Sequence, residues 1–305
     1  MKYEDRLSFE GEKILKRIFK RDKAEGGVSV ETVGPQGSGK TSFDLHIAMK
    51  IMKKYPDELI FYRDSIESPV QFNRIDNWRI YAEEGVTLKF RDYSTNRYFD
   101  LPVYTFKNFD ELYDIAKPGL LNVVYFKKEY TWIDFLNYLR RHMHRGSGWK
   151  SVFLEEYEDI SPQYAAGTGW TKNLIYSKNA KNIRKGLVST FANTQSKGDV
   201  SHMVRSKLMI HSYLRGSTVD DNSPIDQRAI DKLDIGEAMI DYGSNFGKIT
   251  FRAFPPRLPI FEVEKIVAID KEEQDNDLKD RKIRRLEKKL ERLEKILEKL
   301  ELDSI

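Results

Sequence analysis

One run of eight residues, Gly34-Pro35-Gln36-Gly37-Ser38-Gly39-Lys40-Thr41, constrains what this chain can fold into more than any other feature. The spacing Gly-x-x-x-x-Gly-Lys-Thr puts glycines where a backbone turns its N–H groups inward and forms a nest for an anion. Val28 to Gly34 ahead of it is rich in β-branched residues. Behind it, Phe43, Ile47, Met49, Ile51 and Met52 recur at near-helical spacing. Strand, glycine-rich turn and helix is the context in which such a run holds phosphate, because the helix adds the positive end of its dipole. The expected nucleotide site is therefore Gly34, Pro35, Gln36, Gly37, Ser38, Gly39, Lys40, Thr41 and Ser42, with ATP and Mg2+ as cofactors. Lys40 is expected at the β- and γ-phosphates and the Thr41 hydroxyl on Mg2+.

A phosphate loop of this kind needs an acid at the end of a neighbouring strand. Val152-Phe153-Leu154-Glu155-Glu156 supplies one, since a buried apolar strand exposes two carboxylates most readily at its C-terminal end, where open α/β sheets bind ligands. Glu155 is expected in the Mg2+ shell, through water, and Glu156 as the group that activates the attacking water. Glu158 and Asp159 lie close enough in sequence to leave the register open, and an ordinary strand exit is the bland alternative. A third element, a polar residue at a strand tip that senses the γ-phosphate, has candidates in Asn193, Thr194 and Gln195, of which Gln195 is the choice.

Apolar runs at Leu59–Ser65, Leu120–Phe126, Trp149–Leu154, Leu187–Ser196 and Ser206–Leu214 read as strands, and the segments between several of them read as helices. The fold class is α/β, a mostly parallel sheet covered on both faces, closed by a hairpin over 236–254 and by Pro255, Pro256 and Pro259. Residues 1–27 form an amphipathic N-terminal segment with a helix read over 7–23, whose basic residues face solvent. Residues 28–270 form the main domain. Within it, 68–118 reads as a β-rich insertion beside the main sheet, whose strands, separated by Ser94-Thr95-Asn96, read as a hairpin. The chain has no cysteine, which excludes disulfides and thiolate metal sites, and its five histidines are scattered. No apolar run reaches the roughly 18 residues of a membrane span, and the N-terminus is too polar for a secretory signal. A cytoplasmic location is expected, that of a host cell if the source is viral. The net charge of +4 is too mild to argue for nucleic acid by itself.

The loop GPQGSGKT, the strand VFLEE and the run Asn182 to Gln195 together resemble the additional-strand, catalytic-glutamate division of P-loop ATPases, and within it the HerA/FtsK superfamily of DNA-pumping motors. Asp234-Ile235-Gly236-Glu237-Ala238, followed by a strand and prolines, is similar to that family's closing hairpin. The likeness covers about 28–259 in blocks, and it departs from the family in having Glu-Glu where Asp-Glu is usual. It implies a RecA-like core, ATP hydrolysis, and a ring of subunits, usually six, that moves double-stranded DNA through a pore. It also implies an arginine reaching the nucleotide from a neighbour. Arg184, Arg205, Arg215 and Arg228 are the candidates, with Arg184 preferred. A small motor of this group suits viral or plasmid genome packaging, with a capsid-like protein as a further partner. Other readings are a RecA- or KaiC-like ATPase acting on single strands or proteins, a membrane-bound phage-assembly ATPase, and a nucleotide switch. A GTPase is disfavoured by the lack of an Asn-Lys-x-Asp motif.

The C-terminal segment 271–305 is charge-balanced. Ile283, Leu286, Leu290, Leu293, Leu297 and Leu300 repeat there with alternating spacings of three and four, the seam of a coiled coil. Lys282 and Lys289 at g face Glu287 and Glu294 at e of a parallel partner, which favours tails projecting together from one assembly.

Overall fold

The structure, a computed structural model, describes residues 3–65, 69–142, 148–219 and 223–268. The chain opens with α1 (Tyr3–Ile18), β1 (Ser29–Val33), α2 (Lys40–Lys54) and β2 (Leu59–Arg63). It continues through β3 (Trp78–Glu83), β4 (Val86–Asp92), β5 (Tyr98–Phe99), β6 (Val103–Phe106), α3 (Phe109–Ile115), β7 (Leu121–Tyr125), α4 (Thr131–Leu139) and β8 (Lys150–Leu154). Then follow α5 (Tyr157–Ile160), α6 (Thr168–Lys185), β9 (Val188–Thr194), α7 (His202–Arg205) and β10 (Ile210–Leu214). The described chain closes with α8 (Gln227–Asp231), β11 (Glu237–Tyr242), β12 (Asn245–Thr250) and β13 (Phe261–Val267).

Ten strands form one sheet in the order β12-β11-β10-β1-β9-β8-β2-β7-β3-β6, and β13-β4-β5 form a second. From β10 to β6 every pairing is parallel, while β11 and β12 pair antiparallel at one edge. The expected α/β architecture is thus observed. Residues on β2 show why these strands read as continuous apolar runs. Ile60 and Tyr62 pack on the face that carries α2, whereas Leu59 and Phe61 pack on the face that carries α4 and α6. A strand buried on both faces has no polar side to alternate with. β9 lies between β1 and β8, with Val33 opposite Thr194 and Leu154 opposite Ala192. The C-terminal ends of β1, β9, β8 and β2 therefore open side by side on one edge of the sheet.

Several expectations are corrected. The first helix ends at Ile18, before the predicted 23, and lies against β12 in the same compact unit as the sheet. One basic residue just beyond it is not solvated. The Arg21 guanidinium, over the Tyr55 and Trp149 rings, pairs at 2.7 and 2.9 Å with Glu58, which is fully buried. The segment 68–118 is only partly beside the sheet. β3 and β6 extend the main sheet in parallel, because Ile80, Ala82 and Phe106 are buried there, and only β4 and β5 stand apart. The prolines do not end the fold, since β13 follows them and buries Phe261 and Val263 against Phe72, Phe90 and Phe99. The coiled-coil seam of 271–305 lies outside the described residues.

Candidate active site

The phosphate loop joins β1 to α2. Gly37 and Gly39 have φ of 77° and 100°, left-handed values that exclude most side chains, so the spacing of the motif is a backbone requirement. Gln36, Gly37, Gly39, Lys40, Thr41 and Ser42 line a cleft of about 530 Å3. Gly34 and Pro35 form the back of the loop, and their carbonyls hold the Lys40 ammonium at 2.7 and 3.2 Å. Burial lowers the Lys40 pKa, an effect offset by Glu158, Glu155, Glu156 and Asp44 nearby. An arriving phosphate has only to replace two carbonyls. Ser38 is buried behind the loop with its hydroxyl unpartnered.

The acid pair follows β8 directly. Glu155 is buried and faces the cleft, and burial pushes its carboxyl up, partly countered by the neighbouring Tyr62 and Thr41 hydroxyls and the Ser65 amide. Its Oε1 is enclosed with no protein partner. An all-oxygen set of Thr41 and Glu155, with one carboxylate oxygen unsatisfied, fits Mg2+, which keeps several waters and takes few protein ligands. Among the described residues no group of three or more His, Cys, Asp or Glu is placed to hold a metal.

Glu156 adopts φ 48° and ψ 59°, a left-handed conformation costly for a side-chain-bearing residue and held here by three hydrogen bonds with two side chains. Its N–H donates to Asn193 Oδ1 at 3.0 Å, while Arg63 donates to the Glu155 carbonyl and, at 3.4 Å, to the Glu156 carbonyl. Arg63 is itself buried and paired with Glu129 and Asp159, each at 2.9 Å, and Glu129 is paired with Lys265 of β13 at 2.5 Å. The half-buried Glu156 carboxyl has its pKa raised by burial first and by Asp159 second. These partners separate the four neighbouring acids by position. Asp159 is engaged by Arg63 and Glu158 accepts from the Gln195 amide at 3.2 Å, so of the four acids only Glu155 and Glu156 line the cleft.

Asn193 and Gln195 both line the cleft, and Asn193 is the buried one. Its amide bridges the Glu156 N–H and, at 2.9 Å, Asp44 Oδ2 on α2, whereas Gln195 is exposed on the rim. The Asp44 carboxyl is pushed up to about 8 by burial. Arg184 does not approach this cleft in its own chain. It lies at the end of α6 that precedes β9, at the opposite edge of the sheet, with its guanidinium against the Met209 sulfur. Of the other candidates, Arg205 is bonded to the Lys197 carbonyl, Arg228 lies in a groove with α1, and Arg215 is exposed just beyond β10, at the strand ends beside the loop.

A glycine nest at the mouth of a helix, an acid pair on β8 and an interposed β9 carrying a buried polar tip settle the fold. The fold is RecA-like, of the P-loop NTPase type. No protein-family model matches the sequence, and no curated protein is significantly similar to it. Among solved structures the chain is similar to the genome packaging NTPase B204 of Sulfolobus turreted icosahedral virus 2 bound to ATP-gammaS. The identity is 12%, the TM-score 0.49, and the match covers 77% of this chain and 100% of that one. The DNA-packaging ATPase B204 of Sulfolobus turreted icosahedral virus is 15% identical, with a TM-score of 0.45 over 73% and 97% of the two chains. The pCW3 conjugation coupling protein TcpA is 12% identical, with a TM-score of 0.43 over 75% and 61%.

Sequence reasoning missed four contributors. Arg63 had a visible signal, a charged pair with Asp64 at the end of the apolar run LIFY. Asp44 had none, because a carboxylate in a helix of mixed periodicity reads as a surface residue. Arg74 and Phe254, which form the far wall of the cleft, belong to segments with no motif.

Proposed function

We propose that this NTPase is an Mg2+-dependent ATPase that works as a motor on double-stranded DNA, in the service of genome packaging or transfer. The observation that carries the ATPase reading is the convergence of Lys40, Thr41, Glu155 and Glu156 on one cleft from adjacent ends of β1 and β8. Lys40 exchanges its loop carbonyls for the phosphates. Thr41 and Glu155 would hold Mg2+, which supplies neutralisation of the developing phosphate charge. Glu156, ionised, accepts a proton from water as the water oxygen bonds to the γ-phosphorus and the bond to the β–γ bridging oxygen breaks, releasing ADP. Asn193 holds the Glu156 backbone, and Gln195 on the rim is placed for the γ-phosphate or the water. Arg184, remote from its own cleft, is assigned to the neighbour's nucleotide in a ring.

The DNA part rests on the sequence likeness of 182–195 and of the closing hairpin to the HerA/FtsK motors. Among the described residues no helix is long and apolar enough to cross a membrane. The test is ATP hydrolysis with and without nucleic acid, paired with native mass measurement. Duplex DNA is expected to stimulate turnover more than single strands, and rising salt to weaken that stimulation through counterion release. Absence of binding to any nucleic acid at low salt would overturn the DNA half and leave the ATPase half standing. Deleting 279–305 is expected to leave nucleotide binding intact and to lower the assembled fraction at low concentration.

A further inference from the structure

The cleft has two walls, and the proposed chemistry uses only one. The other wall is built from two segments far apart in sequence, 69–76 after β2 and 254–262, which runs from beyond β12 into the start of β13. They are fastened by Val70 N–H to the Phe261 carbonyl at 2.7 Å, Asn73 Nδ2 to the Pro259 carbonyl at 3.1 Å, and an Arg257–Asp76 ion pair. Phe72 and Ile75, both buried, flank Arg74 and anchor it, with Phe72 edge-on to Trp78 and Phe261. Arg74 is half-buried and lines the cleft with Gln71 and Phe254. Its guanidinium makes one hydrogen bond among the described residues, to the Phe254 carbonyl at 2.8 Å, and its Nε is enclosed with no partner. Among the described residues no carboxylate is paired with it, unlike the buried Arg21 and Arg63.

Charge decides what such a group is for. Among the residues that line the cleft, Lys40 and Arg74 carry the positive charge and Glu155 and Glu156 the negative. A nucleoside triphosphate brings several further negative charges into a partly dry space, where each uncompensated charge is expensive. An arginine with free donors, fixed by its carbonyl bond and by buried neighbours, is already arranged to meet phosphate oxygens as a fork. Resting on the nucleotide reading, we propose that Arg74 is a second phosphate-binding cation, acting in cis from the wall opposite the glycine loop. It binds the polyphosphate tail and thereby ties the 69–76 and 254–262 segments to the nucleotide.

The test is the affinity of the full-length protein for ATP-gammaS with Mg2+, together with the melting temperature without nucleotide. Arg74→Gln is expected to weaken ATP-gammaS about 10- to 100-fold, the usual loss for a charge-assisted hydrogen bond, and to leave the nucleotide-free melting temperature nearly unchanged. Arg257→Gln breaks the neighbouring fastening outside the cleft and is expected to bind as the parent does. Wild-type affinity in Arg74→Gln overturns the proposal. So does an equal loss in Arg257→Gln, which would make Arg74 a staple of the wall. If Arg74→Gln does not fold, Arg74→Lys decides, a severalfold loss supporting the fork and an unchanged affinity overturning it. Failure of the parent protein to bind ATP-gammaS would instead overturn the nucleotide reading itself.

Discussion

The two walls of the cleft are made in different ways. The loop wall comes from one stretch of chain, Gln36 to Ser42, whose positive-φ glycines and helix start are local requirements. The wall around Arg74 joins segments that lie 180 to 191 positions apart at their hydrogen bonds and contains no recurring motif. A function confined to one turn of backbone can be read from residue spacing. A function assembled from remote segments exists only once those segments pack.

The largest expected effect breaks the loop wall. Lys40→Ala removes the point cation on the phosphates and is expected to reduce ATP hydrolysis to background in a steady-state assay, whereas full activity would refute the site. Glu156→Gln keeps the shape without the base. It is expected to bind ATP while turnover falls about 10²- to 10⁴-fold, and normal turnover would move the base elsewhere.

A third change probes the packing beneath the loop wall. Asp44 is fully buried, and its folded-state pKa of about 8 lies above the ordinary 3.8. Its contribution is thus fully present below about pH 4 and is lost as pH rises through about 8. Asp44→Asn, which can still accept from the Asn193 amide, should melt higher than the parent at pH 8 to 9 and show no such advantage near pH 4. A parallel pH profile for the two proteins would show that burial does not hold Asp44 protonated.

The smallest effects belong to the far wall. Asn73→Ala loses one side-chain hydrogen bond and is expected to cost about 1 kcal/mol in denaturant unfolding. Asp76→Ala loses an exposed ion pair and should cost well under 1 kcal/mol. If Asp76→Ala destabilised as strongly as a core substitution, the wall would be a rigid unit and the contrast between the walls would fail.

How far the site was legible follows the same division. The structure brings Lys40, Thr41, Glu155 and Glu156 to one cleft, because their positions are set by one turn and one strand end. At the tip of β9, spacing offered three neighbours, and hydrogen bonding picks out Asn193 as the one wired to Glu156 and Asp44. Arg184 could not be located from sequence, since the helix that carries it says nothing of which sheet edge its last turn reaches.

The sequence by itself determined the glycine-rich turn between strand and helix and the α/β class, because glycine conformations, strand burial and helical periodicity act over a few residues. Only the tertiary structure decided that β3 and β6 extend the main sheet, that Arg63 braces the acid pair, and that β13 returns beyond the prolines. It also decided that Arg74 faces the cleft. Each of these depends on which distant surface a segment buries, and the free energy of that choice resides in the pairing of the two surfaces rather than in either segment alone.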